Sequence, residues 1–260
     1  MNDWQRADRP RRRIGLGVEA HATIGSTNDR ARTLLDARGA EGRAIVTEQQ
    51  TEGRGRRGRR WLSPPGRNLM VSVAIRPRIP AADSWQLGMG VGLAARTACA
   101  TIVPVGLKWP NDLVAADGGK LGGLLIETTI EGDRVTSAVI GIGINVNWPR
   151  SQMPPEIAAD AASVGELAVR EIDRPELLGT LLDALDAELI AIESGTSPLA
   201  RYRKACITLG TDISVETAGG RLEGRAVAID ETGALVVETA SGPVALTSGE
   251  IVRLRAEAPA

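Results

Sequence analysis

Two long apolar runs rich in β-branched residues, Leu121 to Thr129 and Val135 to Val146, flank Glu131, Gly132 and Asp133. Turn residues between two such runs predict a hairpin of buried strands. A hairpin buried in this way needs other elements packed over it. The packing must come from Leu, Val, Ile and Ala, because the chain contains no Phe, one Tyr and five Trp. Its 260 residues, 43% of them hydrophobic, are enough for a large domain plus a small one. At that size folding buries about 70 to 75% of the unfolded chain's surface, so no disulfide or metal staple is needed.

Around the hairpin the pattern is mixed. Ser26, Thr27 and Asn28 precede Ala31, Leu34 and Leu35 at helical spacing, so one of the three is expected to cap a short helix ending near Gly39. Arg43 to Glu48 and Leu69 to Ile75 read as strands, and Ser84 opens a helix running to about Thr101. Val105 to Trp109 is extended, since Pro110 disfavours helix before it. Asp173-Arg174-Pro175 starts a long helix with Leu177, Leu178, Leu181, Leu182, Leu185 and Leu189 along one side, ending near Gly195.

From Thr211 the pattern changes to short strands: Ile213 to Thr217, Arg221 to Ile229, Ala234 to Glu238, Val244 to Leu246 and Ile251 to Leu254. Gly219-Gly220, Asp230 to Gly233 and Ser241 to Pro243 separate them, which predicts a small antiparallel barrel or sandwich. Met1 to Arg13 is polar and Arg-rich and reads as a mobile arm. The expected division is therefore a flexible basic arm at 1–14, a large domain at 15–206 and a small β domain at 207–260.

Charge and rare residues narrow the function. With 31 Lys+Arg against 32 Asp+Glu, the surface as a whole is not committed to nucleic acid or an anionic membrane. Two cysteines, Cys99 and Cys206, and one histidine, His21, argue against a zinc site and against histidine base catalysis. No apolar run approaches the roughly 20 residues of a membrane span, and the N-terminus has no apolar leader core, so a cytoplasmic protein is expected.

Three segments carry candidate chemistry. Gly53-Arg54-Gly55-Arg56-Arg57-Gly58-Arg59-Arg60-Trp61 has five arginines in nine positions. It matches G-x-G-x-x-G, but Leu62, Ser63, Pro64 and Pro65 follow in place of the helix that a dinucleotide fingerprint requires. Taken alone, the loop fits a nucleic-acid patch, a cradle for a small polyanion or a solvated charged loop equally well. Lys108-Trp109-Pro110-Asn111-Asp112 brings together a cation, an aromatic, an amide and a carboxylate. Gly118-Gly119-Lys120-Leu121-Gly122-Gly123 sets one of only three lysines at the start of a buried strand, and its order is not that of a Walker loop. In Gly141-Ile142-Gly143-Ile144-Asn145-Val146-Asn147, strand glycines suggest close backbone approach and the asparagines can read donor and acceptor groups.

Together these segments offer cations, amides, and Asp112 and Glu127 as possible magnesium ligands, without a Ser-His-Asp or Cys-His set. Joining a carboxylate to the α-phosphate of ATP fits such a set, because positioning and positive charge suffice.

Ser26-Thr27-Asn28, GRGRRGRRW at 53–61, KWPNDL at 108–113 and KLGGLLIE at 120–127, with GIGINVN after them, resemble the biotin-protein ligases in type and order. The resemblance is strong from Ala20 to Trp148 and looser over the C-terminal strands. It implies an α+β fold, a mixed sheet with flanking helices followed by a small SH3-like β-barrel. The implied activity is formation of biotinyl-5′-AMP from biotin and ATP with Mg2+, then transfer of biotin to one lysine of a biotin carboxyl carrier protein.

By the same resemblance, Ser26, Thr27, Asn28, Gln50, Gly53, Arg54, Gly55, Arg56, Trp61, Lys120 and Gly123 bind biotin or its adenylate. Arg54, Arg56, Arg57, Lys108, Asn111, Lys120 and Asn145 bind ATP. Arg56, Lys120, Lys108 and Asp112 are the catalytic set, with Asp112 the choice for deprotonating the incoming lysine and no protein-held metal. Five like charges in a Gly-rich loop predict mobility until ligand binds.

Glu52 departs from the small residue expected there and adds a carboxylate beside an anion site. Only about 20 residues precede the catalytic segment, so DNA binding and repression are expected to be absent. The resemblance also implies a possible homodimer, in which Val139 to Asn145 could join an intersubunit sheet. The alternatives are a lipoate-protein ligase, whose Arg-Arg-x-Ser-Gly-Gly-Gly segment is missing, and a nucleic-acid-binding module built on the arginine loop.

Overall fold

The predicted hairpin lies inside a seven-stranded sheet. The computed structural model describes residues 3–36, 41–217 and 220–255. The strands are β1 (Val18–His21), β2 (Ala44–Thr47), β3 (Leu69–Ile75), β4 (Val105–Lys108), β5 (Asp112–Ala115), β6 (Lys120–Glu131) and β7 (Arg134–Ile144). Their order is β1-β2-β3-β7-β6-β5-β4; β1 and β2 run parallel and every other neighbouring pair antiparallel.

This order overturns one expectation. β7 is hydrogen-bonded to β3 on one side and β6 on the other, so Val139 to Asn145 has no free edge with which to join a second subunit.

Helices cover the sheet unequally. α1 (Thr27–Asp36) packs on β2, β3 and β7, where Ala31 and Leu35 meet Ile45, Ala74 and Val139. The opposite face is closed by α2 (Trp85–Ala100), which packs on α5 (Arg174–Glu193) and α6 (Leu199–Ala205). Two short helices, α3 (Pro155–Ala158) and α4 (Val164–Ala168), lie before α5. The α5 leucines 177, 178, 181, 182, 185 and 189 are all at most 3% exposed. Each contributes about 1.5 to 3 kcal/mol by burial. Asp173 caps this helix as expected, its carboxylate accepting the Glu176 N–H at 3.1 Å.

α1 starts where expected, with the Ser26 carbonyl accepting from Arg30 N–H at 3.2 Å, but Thr27 and Asn28 turn their side chains toward the sheet. Its expected end near Gly39 lies outside the described residues.

The N-terminal segment is not a mobile arm. Trp4, Ala7 and Ile14 are buried, and the segment is pinned to α5 by acidic partners distant in sequence. Asp186 accepts the backbone N–H groups of Arg12, Arg13 and Ile14 at 3.0, 2.6 and 2.8 Å. Arg9 and Arg11 reach Asp183, and Arg13 pairs with Glu193.

The C-terminal strands β8 (Asp212–Thr217), β9 (Gly220–Ile229), β10 (Leu235–Thr239), β11 (Gly242–Leu246) and β12 (Glu250–Arg255) form a second, wholly antiparallel sheet ordered β11-β10-β9-β8-β12. Trp109 ties it to the first unit, its indole N–H donating to the Gly233 carbonyl at 3.3 Å.

Candidate active site

Register decides where the cavity lies. Ser72 of β3 pairs with Gly141 and Met70 with Gly143, while Gly143 pairs with Gly123 of β6. Alternation then puts these residues on the α1 face of the sheet, beyond the part that α1 covers. A side chain on Gly143 would come within 2.6 Å of the Trp61 indole, and one on Gly141 within 2.3 Å of Asn28 Oδ1. The missing side chains are the floor of a cavity of about 360 Å³, within the range of small-molecule sites.

One end of the cavity is a hydrogen-bonded amide and hydroxyl set. Gln50 Oε1 accepts from the Thr27 backbone N–H at 2.8 Å and its hydroxyl at 3.1 Å. The Ser72 hydroxyl has one proton for two acceptors, Thr27 Oγ1 at 2.7 Å and Asn28 Oδ1 at 2.6 Å. Asn28 Nδ2 donates to Glu127 at 2.7 Å. Gln50 Nε2 meets only the Met70 sulfur, at 3.6 Å, a weak acceptor that leaves the amide able to serve a ligand carbonyl.

The arginine loop forms the cavity's wall. Trp61 N–H donates to the Gly53 carbonyl at 2.9 Å and Gly55 N–H to the Arg59 carbonyl at 2.7 Å, so the loop closes on itself. Its charges are shared out rather than left to repel. Arg54 pairs with Asp29 at 2.9 Å and Arg59 with Glu250 at 2.6 Å, while Arg57 donates to the Glu216 carbonyl. The indole N–H of Trp61 is buried without a partner.

Arg56 instead turns inward, donating to Asn111 Oδ1 at 3.1 Å, and burial, with Arg57 beside it, pulls its pKa down. A guanidinium still stays charged there. Lys120 Nζ lies 2.7 Å from Asp112 Oδ1. At the far end Asn145 lines the cavity, its Nδ2 donating to the Lys120 carbonyl at 3.2 Å and its Oδ1 accepting from Asn68 at 3.3 Å. Glu156, Ile157, Asp160 and Ala161 also line the cavity, with the Asp160 carbonyl accepting the Lys120 N–H at 2.6 Å.

This geometry has counterparts. Residues 22–145 match the Biotin/lipoate A/B protein ligase family, and residues 208–254 match the biotin protein ligase C terminal domain. The chain is 34% identical over 256 residues to a biotin–[acetyl-CoA-carboxylase] ligase of Mycobacterium tuberculosis, covering 93% of this chain and 92% of that one. The chain belongs to the biotin protein ligases. The bifunctional ligase/repressor BirA of Bacillus subtilis is 32% identical over 92% of this chain and 77% of its own length. A biotin protein ligase from Aquifex aeolicus, solved in complex with biotin and ATP, superposes with a TM-score of 0.77 at 30% identity, over 92% of this chain and 98% of that one.

In this biotin protein ligase the cavity gathers most, not all, of the residues expected from sequence. Ser26, Thr27, Asn28, Gln50, Arg54, Gly55, Arg56, Trp61, Asn111, Lys120, Gly123 and Asn145 line it. Gly53, Arg57, Lys108 and Asp112 do not line it. Gly53 shapes the loop, Arg57 faces the second sheet, and Asp112 stands behind Lys120. Lys108 donates to the Ile251 carbonyl at 3.0 Å, and burial lowers its pKa.

The lone Ser72 within the apolar run of β3 is a signal that sequence reasoning passed over. The segment 156–161 carries no local signal at all. Asp112 and Glu127 each face a cation, Lys120 and Arg32 respectively, and Glu127 meets Asn28 as well. Among the described residues no group of three or more His, Cys, Asp and Glu is placed to hold a metal.

Proposed function

We propose that the cavity binds biotin with its ureido ring at Thr27, Asn28 and Gln50 and its carboxylate toward Arg56 and Lys120, with ATP on the Asn145 side. The ureido group has one carbonyl and two N–H groups; Gln50 Nε2 can donate to the first, and the side-chain oxygens of Thr27 and Asn28 can accept from the others. The biotin carboxylate attacks the α-phosphorus, the bond to the β,γ-diphosphate breaks, and diphosphate leaves with biotinyl-5′-AMP held in place. Arg56 and Lys120 oppose the charge that builds on the phosphorane oxygens, and the loop 53–61 keeps water from the anhydride.

In the second step the neutral ε-amine of a carrier lysine attacks the acyl carbon, the amide bond forms and AMP departs. Asp112, 2.7 Å from Lys120 Nζ, holds Lys120 in place and takes the amine's proton in this reading. The enzyme is cytoplasmic, where ATP and the carrier are found; among the described residues no helix is long and apolar enough to cross a membrane. Homodimers formed by sheet extension can use only the outer strands.

The observation that carries this reading is the convergence of Arg56 and Lys120 on one cavity whose opposite end is a set of neutral hydrogen-bonding groups. Calorimetric titration with biotin, then with biotin, ATP and magnesium, followed by mass spectrometry of the bound species, tests it. A biotinyl-AMP mass is expected. Lipoyl-AMP formed in preference would move the chain to the lipoate branch. Salt-sensitive RNA or DNA binding with no response to biotin would assign the loop to nucleic acid.

A further inference from the structure

The strongest feature that this chemistry leaves unused is a buried polar chain between the N-terminal segment and the cavity. Arg174, at the first position of α5, is 5% exposed and donates to Glu48 Oε2 at 2.8 Å and to the Asn68 carbonyl at 2.8 Å. Trp4 is 2% exposed, lies 5.2 Å from the Arg174 guanidinium across its ring, and donates its indole N–H to the other Glu48 oxygen at 3.0 Å. Asn68 is fully buried; its Oδ1 accepts the Val146 N–H at 3.1 Å and its Nδ2 donates to Asn145 Oδ1 at 3.3 Å. Asn145 is the cavity residue at the end of this chain.

Each link fixes the next. Trp4 keeps water from the Arg174–Glu48 pair, which strengthens it. The pair anchors the backbone of Asn68. Because Val146 N–H must find an acceptor in a buried site, Asn68 presents Oδ1 to it and so its Nδ2 to Asn145. That choice settles the amide orientation of Asn145, oxygen toward Asn68 and nitrogen toward the Lys120 carbonyl.

We infer that Asn68 is a positioning residue for ATP use, acting through Asn145 and held in turn by Glu48, Arg174 and Trp4. The N-terminal segment thereby sets nucleotide affinity from outside the cavity. This rests on the reading that the Asn145 end receives ATP.

The test is steady-state adenylation by the full chain, with KM for ATP and KM for biotin measured separately. Asn68→Asp is the informative variant, since it keeps the acceptor for Val146 N–H but replaces the donor facing Asn145 with an oxygen. It should raise KM for ATP about three- to tenfold, the effect of one misdirected hydrogen bond, with KM for biotin unchanged. Trp4→Ala and Glu48→Gln should move the same constant in the same direction, and Trp4→Phe, which keeps a ring over Arg174, by less than Trp4→Ala.

Asn145→Ala is the control on the underlying reading. If it leaves KM for ATP unchanged, the placement of the nucleotide is wrong and the inference falls with it. If it raises KM for ATP while Asn68→Asp does not, the placement stands and the positioning role is overturned. Parallel rises in both KM values for Asn68→Asp would also overturn it, as a general structural defect.

Discussion

The two faces of the seven-stranded sheet are made by alternate residues of the same strands, yet they do opposite work. On the α2 face β3 and β7 present Val71, Val73, Ile140 and Ile142, which belong to the main core. On the α1 face the intervening residues are Met70, Ser72, Gly141 and Gly143. One face packs into the main core. The other lacks side chains where Trp61 and Asn28 lie against the sheet, and the buried Ser72 hydroxyl holds Thr27 and Asn28 at the cavity. Because the strand period is two, a shift of one residue would exchange these roles completely. Stability and recognition are therefore separable by mutation within one strand.

The sharpest way to break this comparison is a pair of truncations. Ile140→Ala on the core face should cost about 2 to 5 kcal/mol of stability, measured by urea unfolding, while biotin affinity of the folded protein stays at the wild-type value. Lys120→Ala on the site face should lower the adenylation rate about 100- to 1000-fold, the cost of losing one preorganised charge at a transition state. Its effect on the unfolding midpoint should be the smaller of the two. If Ile140→Ala weakened biotin binding as strongly as it weakened the fold, the faces would not be independent.

Gly143→Ala sharpens the same point with a single methyl. The added carbon meets the Trp61 ring at 2.6 Å, so the indole has to move; the expected cost is about 1 to 3 kcal/mol, appearing in biotin affinity by calorimetry. Trp61→Ala in the Gly143→Ala background should remove most of that coupling in a double-mutant cycle. Additive losses would mean that the glycine serves the backbone and not the indole.

How much of this was legible follows the same division between local and distant causes. β3, the β6–β7 hairpin, α2, α5 with its Asp173 cap and the C-terminal strands all have local signals, and their predicted limits lie within a few residues of the observed ones. The charged motifs likewise marked most of the cavity. β1, whose sequence is Val-Glu-Ala-His, has no β-branched or apolar run, and the turn signal of Pro-Asn-Asp masks the start of β5, so neither carries a pattern to read. Strand order was out of reach, and the intersubunit sheet at Val139 to Asn145 rested on family analogy that local sequence could not check.

The N-terminal segment failed for a different reason. Its arginines look solvated until Glu176, Asp183 and Asp186, which only the fold brings near, are placed beside them. The arginine loop is the same case, since Asp29 and Glu250 are its missing counter-charges.

The smallest expected effect concerns that loop. Arg54's hydrogen bond holds the Asp29 carboxyl below its ordinary value of 3.8. A carboxylate with a lowered folded-state pKa contributes stability that is fully present above the unfolded value and is lost as pH falls through the folded one. Loop closure should therefore be flat with pH from neutrality down to about 4 and weaken only in stronger acid. Asp29→Asn should remove that acid dependence and raise amide exchange of residues 53–61 by at most about fivefold at neutral pH, the range for an exposed pair. Added salt should shrink the difference between variant and wild type, because both partners are open to solvent. No change in core amides should accompany it, for the Asp29–Arg54 pair holds the wall of the site and touches nothing on the α2 face. Exchange that rose across both faces together would show that the loop is part of the fold's cooperative unit and not a closure laid over it.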